Sequence, residues 1–127
     1  MSKVESLLPD MENAVNRLAE VLAMPKTEVV RDSAIKRFEF CFDLSWKTLK
    51  AFLEERHGIN VASPKEAFRE AYRQKVIDYD NFWLEIVDKR NLTVHTYRES
   101  AAEEVYAILP KALTSFKDLL AKIKLKE

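Results

Sequence analysis

The sequence predicts an all-α fold, an up-and-down bundle of about five helices with a kinked last helix. Three observations carry that expectation. The 127 residues hold four prolines and one glycine, too few turn formers for a sheet of this size. Long stretches of good helix formers fill the space between them. The apolar residues recur at helical rather than alternating spacing. A hydrophobic content of 47% over this length suits a single domain, residues 1–127, with a core that needs no metal or disulfide.

The first helix is expected from about Leu8 to Ala23, with Met11, Val15, Leu18 and Leu22 as its apolar stripe and Pro25 as its stop. The second runs from about Glu28 to Arg56, capped by Thr27 and closed by Gly58. Its stripe of Ile35, Phe38, Phe42, Leu49 and Phe52 is widened by Ala34, Cys41, Leu44, Trp46 and Leu53, so most of its circumference asks for burial. Such a helix is a hub. Glu39 and Asp43 lie one turn apart on it; they read as surface charges, the alternative being an acidic pair that orients Arg90.

A third helix begins at Ser63, where Ser63-Pro64-Lys65-Glu66 combines a capping box with proline at the first helical position, and ends near Gln74. Asp78 or Asp80 caps a fourth helix, which carries Phe82, Trp83, Ile86 and Val87 into the core and continues through Arg90 to Tyr97. The fifth opens at a second capping box, Ser100 to Glu103, and runs to about Lys124 with Val105, Ile108, Leu109, Leu113, Phe116 and Leu120 inward. Pro110 is expected to kink it. Short loops favour antiparallel neighbours.

Composition excludes several functions. The 21 basic residues balance 21 acidic ones, which argues against sequence-independent nucleic-acid binding and confines any RNA site to a local patch. With Gly58 as the one glycine there is no phosphate-cradling loop. Cys41, flanked by Phe40 and Phe42, reads as a small buried hydrophobe. No apolar stretch approaches the roughly 20 residues that span a bilayer, and no signal pattern opens the chain, so a soluble cytoplasmic protein is expected. Asp78-Tyr79-Asp80 has the spacing of a magnesium-binding carboxylate pair but lacks the glycine-serine turn of nucleotidyltransferases, so capping explains it better. His57, just before Gly58, reads as a helix-end cation. No residues stand at metal-ligand spacing, and no cofactor is implied.

The densest chemistry lies in Arg90-Asn91-Leu92-Thr93-Val94-His95-Thr96-Tyr97. Histidine is the side chain with an unperturbed pKa nearest neutrality, arginine carries a permanent planar fork for phosphate oxygens, and asparagine and tyrosine can fix a substrate or water. These are ingredients of metal-free phosphodiester chemistry. On a continuous helix Asn91 and His95 share one face, and Arg90 and Tyr97 share another about 100° around. The competing reading is an ordinary amphipathic helix with a polar side.

Arg90, four residues, His95, one residue and Tyr97 resemble the R-x-x-x-x-H-x-Y signature of HEPN-domain proteins. Arg31-Asp32-Ser33-Ala34-Ile35-Lys36-Arg37-Phe38-Glu39-Phe40, followed by Trp46-Lys47-Thr48-Leu49-Lys50 and Ser63-Pro64, resembles the nucleotidyltransferase substrate-binding protein family. The resemblance covers nearly the whole chain. It implies a homodimer whose partner is a small nucleotidyltransferase encoded nearby. It also implies an RNase toxin with catalytic Arg90 and His95 at the dimer cleft, both binding the RNA or nucleotide, and Tyr97 as the tyrosine to which the partner adds AMP; Asn91 is read as a third catalytic residue from its chemistry, since its amide can orient either the base or the reacting group. A noncatalytic substrate-binding subunit is the alternative it leaves open.

Overall fold

The computed structural model describes residues 2–127, and its regular elements are helices: α1 (Lys3–Leu22), α2 (Glu28–His57), α3 (Pro64–Arg73), α4 (Phe82–Leu92) and α5 (Glu99–Lys126), with a 3₁₀ turn at Thr93–His95 between the last two. The five-helix expectation holds. At 30 residues α2 is roughly 45 Å long, and it touches each of the other helices.

Long-range side-chain contacts give the directions. Val4 N–H donates to Glu55 and the Arg37 guanidinium donates to the Arg17 carbonyl, so α1 and α2 are antiparallel. Lys65 with Asp88 and Phe68 with Trp83 make α3 and α4 an antiparallel hairpin. Lys89 with Glu104 and Trp83 with Phe116 set α4 antiparallel to α5. By contrast α2 and α5 run the same way, Arg31 meeting Glu99 at one end and Arg56 meeting Glu127 at the other.

Where helix ends are set by short-range chemistry, they fall as expected. Thr27 accepts from Val30 N–H at 3.0 Å, and Gly58 closes α2 in the left-handed region at φ 66°, where a side chain would be strained. Ser63 accepts from Glu66 N–H at 3.2 Å, and the Glu66 carboxylate reaches back to Ala62 N–H at 2.8 Å, one residue before the position an ideal capping box uses.

Three boundaries differ. The start of α1 is Lys3, not Leu8: Ser2 caps it by accepting from Glu5 N–H, Val4 is fully buried, and Pro9 sits inside the helix. The start of α5 is Glu99, so Ser100 lies within the helix and makes no capping box, while Arg98 at the cap position gives no side-chain bond. The end of α4 is Leu92, so the fourth helix does not reach Tyr97. The helix α5 continues through the exposed Pro110 to Lys126.

The core follows the expected stripes, with Met11, Val15 and Leu18 of α1, Ile35, Phe38, Phe42, Leu49 and Phe52 of α2, and Val105, Leu109, Phe116 and Leu120 of α5 all buried. Leu22, Leu44, Trp46, Ile108 and Leu113 are partly buried against it. Cys41 is fully enclosed, and desolvation pushes its thiol up to about 12, which removes it from chemistry at neutral pH. Phe38 is 0% exposed and packs on Phe116 with ring centroids 6.0 Å apart. Truncation by Phe38→Ala is expected to cost about 3–5 kcal/mol, read as a lower urea midpoint at unchanged m-value.

Candidate functional site

Arg90 lies in the last turn of α4, and its half-buried side chain crosses to α2. Its Nε and Nη2 donate to the two oxygens of Asp43 at 3.2 and 3.3 Å, and its Nη1 comes within 3.9 Å of Glu39. This overturns the surface-charge reading of Glu39 and Asp43. Spacing one turn apart on α2 gives the two carboxylates a common face, and the antiparallel run of α4 brings Arg90 over it.

Thr93 completes the hold and was not singled out from sequence. Its buried hydroxyl donates to the Arg90 carbonyl at 2.6 Å and accepts from Arg90 Nη1 at 2.8 Å. A threonine three residues after an arginine near a helix end was the available signal, since its hydroxyl can bond back one turn. The guanidinium is thereby fixed on one edge by a carboxylate and at another nitrogen by a hydroxyl.

Beyond Leu92 the chain tightens into the 3₁₀ turn Thr93–His95, with Thr96 Oγ1 donating to the Thr93 carbonyl at 3.0 Å and Arg98 N–H to the His95 carbonyl at 3.0 Å. The motif is therefore not one helical surface. Arg90 and Asn91 belong to α4, His95 closes the turn, and Tyr97 lies past it, so the shared faces expected of a continuous helix do not form. What forms instead is a contact between neighbours. The Tyr97 hydroxyl comes within 3.5 Å of His95 Nδ1, the two rings meet edge to face, and the Arg98 guanidinium lies over the Tyr97 ring at 5.6 Å.

Exposure separates the roles. Tyr97 is 75% exposed and Val94 66%, large values for an aromatic and an aliphatic side chain, and His95 and Asn91 are also open to solvent. Asn91 makes no side-chain hydrogen bond among the described residues. The far end of the turn is anchored by Arg31, a buried guanidinium that donates to Glu99, the first residue of α5, and to Asp32, and lies 3.6 Å from Glu103. Its hydrogen bond to Glu99 raises an already high pKa, so this charge is permanent.

The residues set aside from sequence have structural partners. Asp80 accepts from Phe82 N–H at 2.9 Å and so caps α4, while Asp78 faces Lys122 at 3.3 Å, leaving the two carboxylates with different partners. His57 ends α2 with its ring 6.0 Å from Phe52. No group of three or more metal-binding side chains occurs among the described residues, and none of their helices is long and apolar enough to cross a membrane.

Comparison with known proteins places the chain in a family. A protein from Thermus thermophilus has a crystal structure that superposes with a TM-score of 0.84 at 36% identity, over 88% of this chain and 97% of that one. HI0074 from Haemophilus influenzae, described as revealing the fold of a substrate binding domain of a nucleotidyltransferase, superposes at 0.70 with 27% identity over 95% and 96% of the two chains. The probable ribonuclease HepT of Haemophilus influenzae is 34% identical over 95 residues, 72% of this chain. The match spans 65% of that curated relative's own length. Residues 6–125 match the profile of the family described as nucleotidyltransferase substrate binding protein like, and the chain belongs to that family.

Proposed function

We propose that the chain is the helical subunit of a two-component nucleotidyltransferase system and carries a metal-independent RNase site built from Arg90, Asn91 and His95, with Tyr97 as the residue its partner modifies. One observation carries the reading: the turn after α4 presents an exposed His95 and Tyr97 in contact while Arg90 is held at its base by Asp43 and Thr93. The likeness to a probable ribonuclease supports it.

The chemistry follows from the side chains. The ribose 2′-oxygen attacks phosphorus, and the bond to the 5′-oxygen of the next nucleotide breaks, leaving a 2′,3′-cyclic phosphate and a free 5′-hydroxyl. His95 takes the 2′-hydroxyl proton or returns one to the leaving oxygen, and Arg90 offsets the charge that develops on the phosphorane. Asn91 orients either group. A homodimer with two-fold symmetry brings two such histidines to one cleft, so that one chain supplies the base and the other the acid. Charge neutrality of the chain keeps the RNA contact local to this cleft.

Tyr97 suits modification because its ring is exposed, and its hydroxyl lies against His95. An AMP group there puts a phosphate beside His95 and the Arg98 guanidinium and fills the approach to the site. The partner nucleotidyltransferase thus acts as the antidote to the toxin.

A second reading keeps the same residues as a noncatalytic subunit that binds nucleotide or substrate for the transferase. It is favoured by Arg90 already being engaged by Asp43, which leaves less of its fork for a transition state, and by the substrate binding description of HI0074. Cleavage of RNA decides between them. His95→Ala and Arg90→Ala are each expected to lower the rate by about 10²–10⁴-fold with the fold retained, whereas no cleavage by the wild-type homodimer in the first place selects the binding subunit. Incubation with the neighbouring nucleotidyltransferase, ATP and magnesium is expected to add one or more AMP units to the intact mass, with the gain lost in Tyr97→Phe. Modification persisting in Tyr97→Phe moves the acceptor elsewhere.

A further inference from the structure

A groove of about 270 Å³ opens between α3 and the segment that leads into α4, at the end of α4 away from Arg90. Its floor is aromatic and buried: Phe68 and Trp83 stack with centroids 4.4 Å apart and planes within 11°. Its rim is aromatic and exposed. Tyr72 and Tyr79 meet edge to face at 5.3 Å, yet remain 48% and 65% exposed. The Tyr79 hydroxyl donates to Asn81 Oδ1 at 2.7 Å, which fixes that ring although both residues lie at the surface.

The charges lining the groove are unequal in what they leave free. Asp80 is committed to capping α4, Asp78 faces Lys122, and Arg73 is paired with Glu70 at 3.1 Å. Arg69 has no ion-pair or hydrogen-bond partner among the described residues. A hollow with aromatic walls and one uncommitted guanidinium matches a planar ring that carries an anionic group.

We infer that this groove is a second ligand site, distinct from the Arg90–His95 turn, that takes a mononucleotide with its base against Tyr72 and Tyr79 and its phosphate on Arg69. Size and charge select that class. The volume of about 270 Å³ falls just below the roughly 300–1,000 Å³ of small-molecule sites, so a small ligand with part of it outside the groove fits and a folded partner does not. One free guanidinium serves one phosphate group, whereas an RNA strand needs a row of them. The site lies seven residues along α4 from Arg90, measured from Trp83, or roughly 10 Å of helix, so the two can be occupied and observed separately.

The test is a ¹H–¹⁵N titration of the full chain with AMP, adenosine and inorganic phosphate as separate probes. AMP is expected to shift amides within residues 68–84, adenosine to shift them more weakly, and phosphate alone least. Tyr72→Ala and Arg69→Ala, checked for a retained dispersed spectrum, are each expected to weaken AMP binding at least about five-fold, whereas Tyr72→Phe keeps the stacking face and most of the affinity. Several results overturn the inference: no shift in 68–84 at millimolar AMP, shifts confined to residues 90–97, or unchanged affinity in folded Tyr72→Ala. Shifts confined to 90–97 leave the proposed function standing while removing this site. Loss of the nucleotidyltransferase complex in Tyr72→Ala, with no AMP binding by the wild type, makes the surface a protein interface instead.

Discussion

A connected series of five aromatic rings fixes how four of the helices sit. From α2 through α3 and α4 to α5 it runs Phe42, Phe68, Trp83, Phe116 and back to Phe38 on α2, with successive centroids 6.5, 4.4, 6.0 and 6.0 Å apart. Each such contact adds about 0.5–1.5 kcal/mol beyond the burial of the rings, and burial itself drives the assembly. Because the series starts and ends on one helix, the α3–α4 hairpin is held across α2 and α5 together. The position of Arg90 depends on this, since Trp83 sets where α4 lies and Arg90 follows two turns later.

The turn after α4 is then held to α2 at both ends. Upstream, Arg90 reaches Asp43; downstream, Glu99 reaches Arg31. Between side chains as open as Arg90 and Asp43, 25% and 42% exposed, an ion pair contributes about 0–1 kcal/mol. The effect of the two contacts is geometric. The parallel course of α2 and α5 puts Arg31 beside the first residue of α5, so a segment of six residues, 93–98, is suspended between two anchors on one rigid helix. An exposed loop with fixed ends presents side chains without burying them, which suits the RNA substrate proposed for it.

The parts legible in the sequence were those decided within a few residues. Thr27, Gly58 and Ser63 mark their helix ends because their capping bonds reach only three or four residues along the chain, and the apolar stripes of α2 and α5 appear because burial repeats with the helical period. The start of α1 was misplaced because tertiary contact decides it: buried Val4 and its N–H bond to Glu55, 51 residues away, extend the helix back past Pro9. The Ser100 to Glu103 pattern fits a capping box, but Arg31 and Lys26 claim the acidic side chains of that turn. Asp43 could not be told from a surface charge, since its partner lies 47 residues on and only the antiparallel packing of α4 joins them.

The candidate site owes its form to the end of α4 at Leu92. On an uninterrupted helix residues two apart point away from each other, and His95 and Tyr97 would have faced different surroundings. Ending the helix lets Thr93 bond back to the Arg90 carbonyl, tightens the next residues to 3₁₀ geometry and folds the Tyr97 hydroxyl to within 3.5 Å of His95. On the proposed function, with His95 catalytic and Tyr97 modified, activity and its control become one local event: a group placed on the Tyr97 oxygen would occupy the space beside the His95 imidazole. Such a design requires no change elsewhere in the bundle, which is consistent with a core in which every helix is already fixed by the aromatic series and its flanking leucines and valines.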